Sequence, residues 1–254
     1  MPKKSLTTEQ ALRYNRQIVL PNFDLDKQEI LLNAKVLVAG VGGLGCAAAQ
    51  YLVASGVGEM TLIDDDMVEK TNLQRQVLHG EADVGINKCL SAKASLEQLN
   101  SDINIHVIQK RLELDDYLDL IKTLDMVLDC TDNLVSRNTL NQACYQSGTP
   151  LISGAAIRME GQLMSIVPQD KSACYACIST YFGEQNLSCV ESGVMSPVVG
   201  IIGAMQALEA IKVLCDYGQN NMNKLMMFDA MTTSWQTFKV PKNPTCTVCN
   251  CHSS

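Results

Sequence analysis

The sequence predicts an α/β protein with a mostly parallel sheet, helices on both faces, and an extension of antiparallel strands. Short apolar strands alternate with helical segments up to residue 153, and this alternation is typical of βαβ units with right-handed crossovers. Beyond residue 153, strand-like segments follow one another with one long helix between them, which favours antiparallel pairing. A GxGxxG turn at residues 40–45 directly follows the first strand, so the parallel part is predicted to be Rossmann-like.

The N-terminal segment is predicted to be helical, and the alternating part follows it. Thr7 and Gln10 have the spacing of a capping box, which opens a helix that ends near Arg16. A second helical stretch covers residues 26–32. The alternating elements are strand 35–39, helix 44–55, strand 60–63, helix 87–99, strand 103–108, helix 115–122, strand 126–129, helix 135–147 and strand 151–153.

The C-terminal part is predicted to contain three further strands and one long apolar helix. Pro197 suits the first turn of that helix, and Gly218 is typical of a helix end. The predicted elements are strand 162–167, helix 197–215, strand 225–228 and strand 235–240.

Charge and hydropathy exclude several classes of partner. The chain has 20 basic and 27 acidic residues and a net charge of −7, and it shows no concentrated basic face, so we expect no nucleic acid partner. The richest apolar stretch, 198–214, is interrupted by Gln206, Glu209 and Lys212, so we expect no membrane span. No apolar segment follows the two N-terminal lysines, so we expect no signal peptide and a cytoplasmic location.

The glycine-rich turn and the next strand predict a nucleotide site. Glycines allow backbone N–H groups to approach phosphate at a helix N-terminus. Asp64 follows Gly45 by 19 residues at the end of a strand, where a carboxylate can bind a ribose hydroxyl. The alternative is a purely structural turn. A Walker A loop is excluded because Cys46 follows Gly45, whereas a nicotinamide dehydrogenase stays open; the acidic run 64–66 disfavours NADP.

Cationic and acidic residues further along favour a polyphosphate over a nicotinamide ring. Arg75 lies just past Asp64, and Lys88 lies a short way downstream; solvated surface charge is the alternative for each. Asp132 follows the strand 126–129, so it is a candidate Mg²⁺ ligand at the sheet's carboxyl edge. Asp132 could also cap the following helix, and the two roles are compatible.

The eleven cysteines fall into a scattered set and a clustered set. Two CxxC pairs, separated by 68 residues, can close a tetrahedral zinc site; redox chemistry at one pair is the alternative. Cys251 or His252 could replace a ligand. Cys189, in a polar loop, could be reactive or incidental. The predicted zinc ligands are Cys174, Cys177, Cys246 and Cys249, and the scattered cysteines expected in the core are Cys46, Cys89, Cys130, Cys144 and Cys215.

Taken together, these motifs resemble the ThiF/MoeB/HesA family of ubiquitin-activating-type adenylyltransferases. The resemblance runs from Arg13 to Cys249. Segments 155–162, 182–197 and 228–232 are most similar to the branch that serves molybdenum cofactor biosynthesis, with the thiamine-pathway branch second. The segments that carry the resemblance are RYNRQIVL (13–20), GVGGLG (40–45), TNLQRQ (71–76), DCTDN (129–133), SGAAIRMEGQ (153–162) and the two CxxC pairs.

The resemblance implies an enzyme that uses ATP and Mg²⁺ to adenylate the C-terminal glycine of a ubiquitin-like sulfur carrier ending in Gly-Gly, with release of pyrophosphate. The expected carrier is the small subunit of molybdopterin synthase. The thiamine-pathway carrier is an alternative, and so is a non-catalytic scaffold that binds ubiquitin-like proteins. The resemblance also implies a homodimer, structural Zn²⁺, and a separate sulfur donor protein, because no sulfurtransferase-like domain follows Cys249.

The resemblance also assigns residues and regions. Asp132 would bind magnesium, and Arg16 would reach the partner subunit's site; Arg16, Arg75, Lys88 and Asp132 form the expected catalytic set. We expect one domain, 1–254, with an N-terminal helical segment 1–34, a nucleotide-binding part 35–153, and an extension 154–254 with the zinc site and the carrier surface. The expected nucleotide-binding residues are Gly43, Asp64, Asn72, Leu73, Gln74, Arg75, Lys88, Asp132 and Asn133.

Overall fold

A computed structural model describes residues 4–168, 172–182, 193–219 and 221–250. The strands are β1 Lys35–Ala39, β2 Glu59–Ile63, β3 Asn104–Ile108, β4 Met126–Asp129, β5 Leu151–Ile157, β6 Glu160–Ile166, β7 Lys224–Asp229 and β8 Ser234–Lys239. The helices are α1 Thr8–Arg13, α2 Asn15–Ile18, α3 Asp24–Asn33, α4 Gly43–Ala54, α5 Lys88–Leu99, α6 Leu114–Ile121, α7 Leu134–Ser147, α8 Tyr175–Phe182 and α9 Ser196–Cys215. Two short 3₁₀ helices, Lys70–Asn72 and Glu81–Asp83, lie between β2 and α5.

The strands form one sheet of eight in the order β3-β2-β1-β4-β5-β6-β7-β8. The first five pair in parallel, and β5 to β8 pair antiparallel. The predicted fold class is therefore confirmed. Because the parallel strands end at one edge of the sheet, the turns that follow β1, β2 and β4 meet there.

Strand β5 joins the two halves of the sheet. Residues 151–153 pair in parallel with β4, and the whole of β5 pairs antiparallel with β6. The strand continues four residues beyond the predicted end at residue 153, because β6 folds back on it as a hairpin partner.

Each face of the sheet has an apolar core. On one face, α4, α5 and α9 pack against the sheet, and Leu52, Met60 and Ile202 are among the buried side chains. On the other face, α6, α7 and α8 pack against the sheet, and Ile121 and Leu140 are among the buried side chains. Successive residues of the parallel strands point to opposite faces, so these strands contribute side chains to both cores.

Helix α9 lies in the core against α4. Among the described residues it is the one helix long and apolar enough to cross a membrane by length and composition, and half of its apolar window is buried. Its polar members are bonded inside the protein. Gln206 donates to the Asp129 carbonyl (2.8 Å), and Glu209 accepts from the Ser165 hydroxyl (3.1 Å).

Further local expectations differ from the structure. The first helix is divided at Tyr14 (φ −94°, ψ 9°), whose buried hydroxyl accepts a hydrogen bond from Asn100 (2.9 Å). Helix α9 ends at Asp216 in the left-handed region (φ 45°), not at Gly218, since aspartate tolerates this conformation better than most residues. Helix α8 was not predicted, because it is short and begins inside a CxxC motif.

Candidate functional site

The glycine-rich turn places the N-terminus of α4 at the carboxyl edge of the sheet. Gly40 has a positive φ (+88°), and a Cβ there would lie 2.8 Å from the Cys130 carbonyl oxygen, so only glycine fits. Gly42 precedes the helix and has no side chain to cap it. The first N–H groups of α4 are therefore available to an anion, and the helix dipole adds a partial positive charge.

Asp64 is fixed beside this turn at the end of β2. Its two carboxylate oxygens accept hydrogen bonds from the Val41 N–H (2.7 Å) and the Asp66 N–H (2.9 Å). Burial raises the pKa of Asp64, and attraction to Lys88 offsets only part of this effect. The carboxylate has room for a further donor, such as a ribose hydroxyl.

Two cations lie near the α4 terminus. The Lys88 side chain is 8% exposed, and its Nζ donates to Asp66 Oδ2 at 2.7 Å. Arg75 is half-buried, and its guanidinium donates to the Thr71 carbonyl (3.2 Å). Asn72, in the preceding 3₁₀ helix, accepts from the Glu69 N–H (3.0 Å). These hydrogen bonds hold the side chains of Lys88, Arg75 and Asn72 at the rim of the same cleft.

The loop after β4 carries the third set of polar groups. Asn133, not Asp132, caps α7, since its side chain accepts from the Ser136 N–H (2.9 Å). Asp132 is exposed at the cleft, which leaves its carboxylate open to a cation. The neighbouring Asp129 is buried and accepts from the hydroxyls of Thr131 (2.6 Å) and Ser153 (3.0 Å).

These elements enclose a cleft of about 660 Å³. Arg16 is exposed on α2 and does not line the cleft, and neither do Leu73 and Gln74. The roles assigned to these three residues stay predictions. The predicted site residues that line the cleft are Gly43, Asp64, Asn72, Arg75, Lys88, Asp132 and Asn133.

Several cleft residues were missed by sequence reasoning. Lys110 and Arg111 line the cleft after β3, and their position behind a parallel strand could have indicated them. Arg111 pairs with Asp65 through both carboxylate oxygens (3.2 and 3.1 Å). Arg137 and Tyr175 also line the cleft, but no sequence pattern marks them, because the contact between α7 and α8 brings them there.

The four cysteines of the two CxxC pairs come together in a second, separate cluster. Their sulfur atoms all lie within 4.8 Å of one another, and all four residues are buried. Adjacent pairs are 4.0 Å (Cys174–Cys177), 3.6 Å (Cys174–Cys246) and 3.4 Å (Cys177–Cys249) apart. A zinc ion with bonds of about 2.3 Å to four thiolates requires sulfur separations of this size, so the set fits zinc.

Burial raises the pKa of the Cys174 thiol to about 11, so the thiolate form at this position needs a stabilising positive charge, which a metal ion would supply. The alternative ligands Cys251 and His252, like Cys189, lie outside the described residues. A second group of possible ligands, Asp64 to Asp66, is engaged by amides and cations.

This chain is similar to known proteins over most of its length. The molybdopterin-synthase adenylyltransferase of Salmonella typhimurium is 51% identical over 244 residues, which are 96% of this chain and 98% of that protein. The Escherichia coli protein of the same name is 50% identical with the same coverage. The crystal structure of E. coli MccB with ATP superposes with a TM-score of 0.76 at 29% identity, over 88% of this chain and 69% of that one. The ThiF family model matches residues 14–248, and the chain belongs to this family.

Proposed function

We propose that this protein adenylates the C-terminal glycine of a ubiquitin-like sulfur carrier, the small subunit of molybdopterin synthase, in molybdenum cofactor biosynthesis. The products are an acyl-adenylate and pyrophosphate. One observation carries the proposal: the open N-terminus of α4, the cations Arg75 and Lys88, and the carboxylates Asp64 and Asp132 converge in one cleft. The identity of about half the residues with two bacterial molybdopterin-synthase adenylyltransferases supports the choice of carrier.

The cleft divides the nucleotide among its elements. The open amides of α4 and the side chains of Arg75 and Lys88 bind the phosphates, which carry most of the charge. Asp64 accepts a hydrogen bond from the ribose. Asn72 and Asn133 add amide groups at the rim. These assignments follow from the position of each group at the sheet edge, and they match the phosphates and the ribose of a nucleoside triphosphate.

The reaction is a displacement at the α-phosphate. The terminal carboxylate of the carrier attacks, the bond to the β-phosphate breaks, and pyrophosphate leaves with the electron pair. A carboxylate is already ionised at neutral pH, so the enzyme needs no general base. Arg75 and Lys88 stabilise the charge that develops on the phosphates, and the fixed geometry supplies the rest of the acceleration.

Two metal ions belong to the proposal. Asp132, exposed at the cleft, would hold Mg²⁺, which neutralises phosphate charge when bound. The four clustered cysteines would hold structural Zn²⁺, which joins the C-terminal segment to α8.

The proposal extends to assembly and location. Arg16 lies outside the cleft of its own chain, and the exposed apolar residues Leu12, Val19 and Leu20 surround it in sequence. Both facts support a homodimer in which Arg16 serves the partner's cleft. The sulfur donor is a separate protein, and the enzyme works in the cytoplasm.

Carrier-dependent exchange of radiolabelled pyrophosphate into ATP tests the activity. The wild-type protein should catalyse exchange with the molybdopterin-synthase small subunit, and not with that subunit lacking its terminal glycine. Exchange with the thiamine-pathway carrier alone would redirect the proposal to that branch. Absence of exchange with either carrier would overturn it.

Asp132→Ala tests the proposed magnesium ligand. Loss of the proposed magnesium ligand should lower pyrophosphate exchange by about 100-fold or more. The melting temperature should not change, because Asp132 is exposed. Asp119→Ala is the matched control, since this aspartate is also exposed but lies on α6 and pairs with Lys122 (3.1 Å). Equal exchange by both variants would contradict the role of Asp132.

A further inference from the structure

Arg137 fastens the loop that carries Asp132. It lies in the first turn of α7, and its guanidinium points into the protein with 8% of the residue exposed. It donates hydrogen bonds to the Gly154 carbonyl (2.7 Å) and to the Thr131 carbonyl. Its Nη1 also lies 3.7 Å from the buried carboxylate of Asp129. One side chain thus joins the end of β4, the following loop and β5.

Tyr175 covers this guanidinium from the other side. The guanidinium carbon of Arg137 lies 5.9 Å from the centre of the Tyr175 ring, within the range of a cation–π contact. The Tyr175 N–H donates to Asn141 Oδ1 (2.8 Å). Asn141 is 1% exposed and follows Arg137 by one turn of α7, so both residues are on the same helix face. The start of α8 is therefore attached to α7 at two points.

Tyr175 also belongs to the cysteine cluster by sequence. It directly follows Cys174 and precedes Cys177, so its backbone is part of the CxxC turn. A metal bound by these cysteines and by Cys246 and Cys249 would fix the backbone of that turn. The position of the Tyr175 ring over Arg137 then depends on the metal.

We propose that Tyr175, Asn141 and Arg137 are positioning residues that couple the metal centre to the cleft, so that metal binding and nucleotide binding strengthen each other. The bound metal holds Tyr175 against Arg137, and Arg137 holds the loop 131–133 in place. The inference rests on the proposed function for the use of the cleft as a nucleotide site. Coupling between two sites is reciprocal, so it can be measured from either side.

The first test uses the wild-type, zinc-loaded protein. Its zinc affinity is measured by competition with the chromophoric chelator 4-(2-pyridylazo)resorcinol, with and without a saturating non-hydrolysable ATP analogue and Mg²⁺. We expect the nucleotide to tighten zinc binding by about fivefold or more, the lower end of couplings between sites. Equal zinc affinities in the two conditions would overturn the inference.

The second test separates coupling from simple stability. Tyr175→Leu keeps an apolar side chain but removes the ring, whereas Tyr175→Phe keeps the ring. In Tyr175→Leu we expect a normal zinc content, an affinity for the ATP analogue weakened by about threefold to tenfold, and loss of the nucleotide effect on zinc binding. Tyr175→Phe removes the hydroxyl but keeps the cation–π contact, so it should retain the nucleotide effect on zinc binding. A merely structural tyrosine would lower the melting temperature of Tyr175→Leu and leave the nucleotide effect intact, which would overturn the inference.

The outcomes distinguish this inference from the proposed function. A protein that catalyses carrier-dependent exchange but shows no nucleotide effect on zinc affinity overturns the inference alone. A protein with the nucleotide effect but without exchange supports the inference and overturns the proposed function. If Tyr175→Leu does not fold, the wild-type competition decides the question.

Discussion

The nucleotide cleft and the cysteine cluster use polar groups in opposite ways. In the cleft, Lys88, Asp64 and Arg75 are each held by a protein bond while the cleft stays open beside them. In the cluster, all four cysteines are buried and their sulfur atoms face one another. The contrast teaches that the first site is accessible to a ligand that enters and leaves, whereas the geometry of the second fits a permanently bound ion. Changes in the cleft should affect activity, and changes in the cluster should affect stability.

The largest expected effect is on stability, from Cys246→Ser. Loss of one thiolate should abolish tight zinc binding and lower the free energy of unfolding by at least about 3 kcal/mol, since a structural zinc site contributes directly to folding. Zinc content by mass spectrometry and denaturant unfolding measure the two effects. Cys215→Ser is the control, because Cys215 is also buried but lies outside the cluster. Similar losses in both variants would remove the contrast between the two regions.

The second effect is on activity, from Lys88→Met. Methionine keeps the buried side-chain bulk and removes the charge, so pyrophosphate exchange should fall by about 100-fold. The free energy of unfolding should change by less than about 1 kcal/mol, because the partner carboxylate of Asp66 is 59% exposed. Lys93→Met, on the same helix and half-exposed in a 3.6 Å pair with Glu97, should retain activity. Full pyrophosphate exchange by Lys88→Met would contradict the proposed role of Lys88 in phosphate binding.

The smallest expected effect is on stability, from alanine substitutions at two glycines of α9. A Cβ at Gly203 would lie 2.3 Å from the Leu44 carbonyl oxygen of α4, whereas a Cβ at Gly200 would meet nothing within 4 Å. Gly203→Ala should therefore destabilise the protein by about 1–3 kcal/mol. Gly200→Ala should stabilise it by about 0.5–1 kcal/mol, the usual preference for alanine within a helix. Thermal unfolding of both variants measures the difference, and a reversed order would contradict the close α4–α9 contact.

Sequence reasoning was most successful where the chain repeats a local pattern. The bounds of β1 and β4 were predicted as the structure has them, since short apolar strands between polar turns are easily identified. The cysteine cluster was predicted from spacing, because four thiols in two CxxC pairs have few other uses.

The rest depends on tertiary contacts that no local pattern encodes. Arg137 appears in the sequence as an ordinary helix residue, and only the tertiary structure brings β4, β5 and α8 to its guanidinium. Asn133 and Asp132 are adjacent, so the sequence could not decide which of them caps α7. The helix end at Asp216 likewise reflects tolerance of a strained conformation that glycine would adopt more readily.

Strand β5 pairs in parallel with β4 and antiparallel with β6, and this double pairing limits how the two halves of the sheet can move. The boundary between the parallel and antiparallel halves lies inside a continuous hydrogen-bonded strand, where backbone rotation would break the ladder. A hinge between the two halves of the sheet at this point would therefore cost backbone hydrogen bonds. In the proposed reaction, the C-terminal segment of the carrier has to reach the α-phosphate without closure of one half of the sheet onto the other.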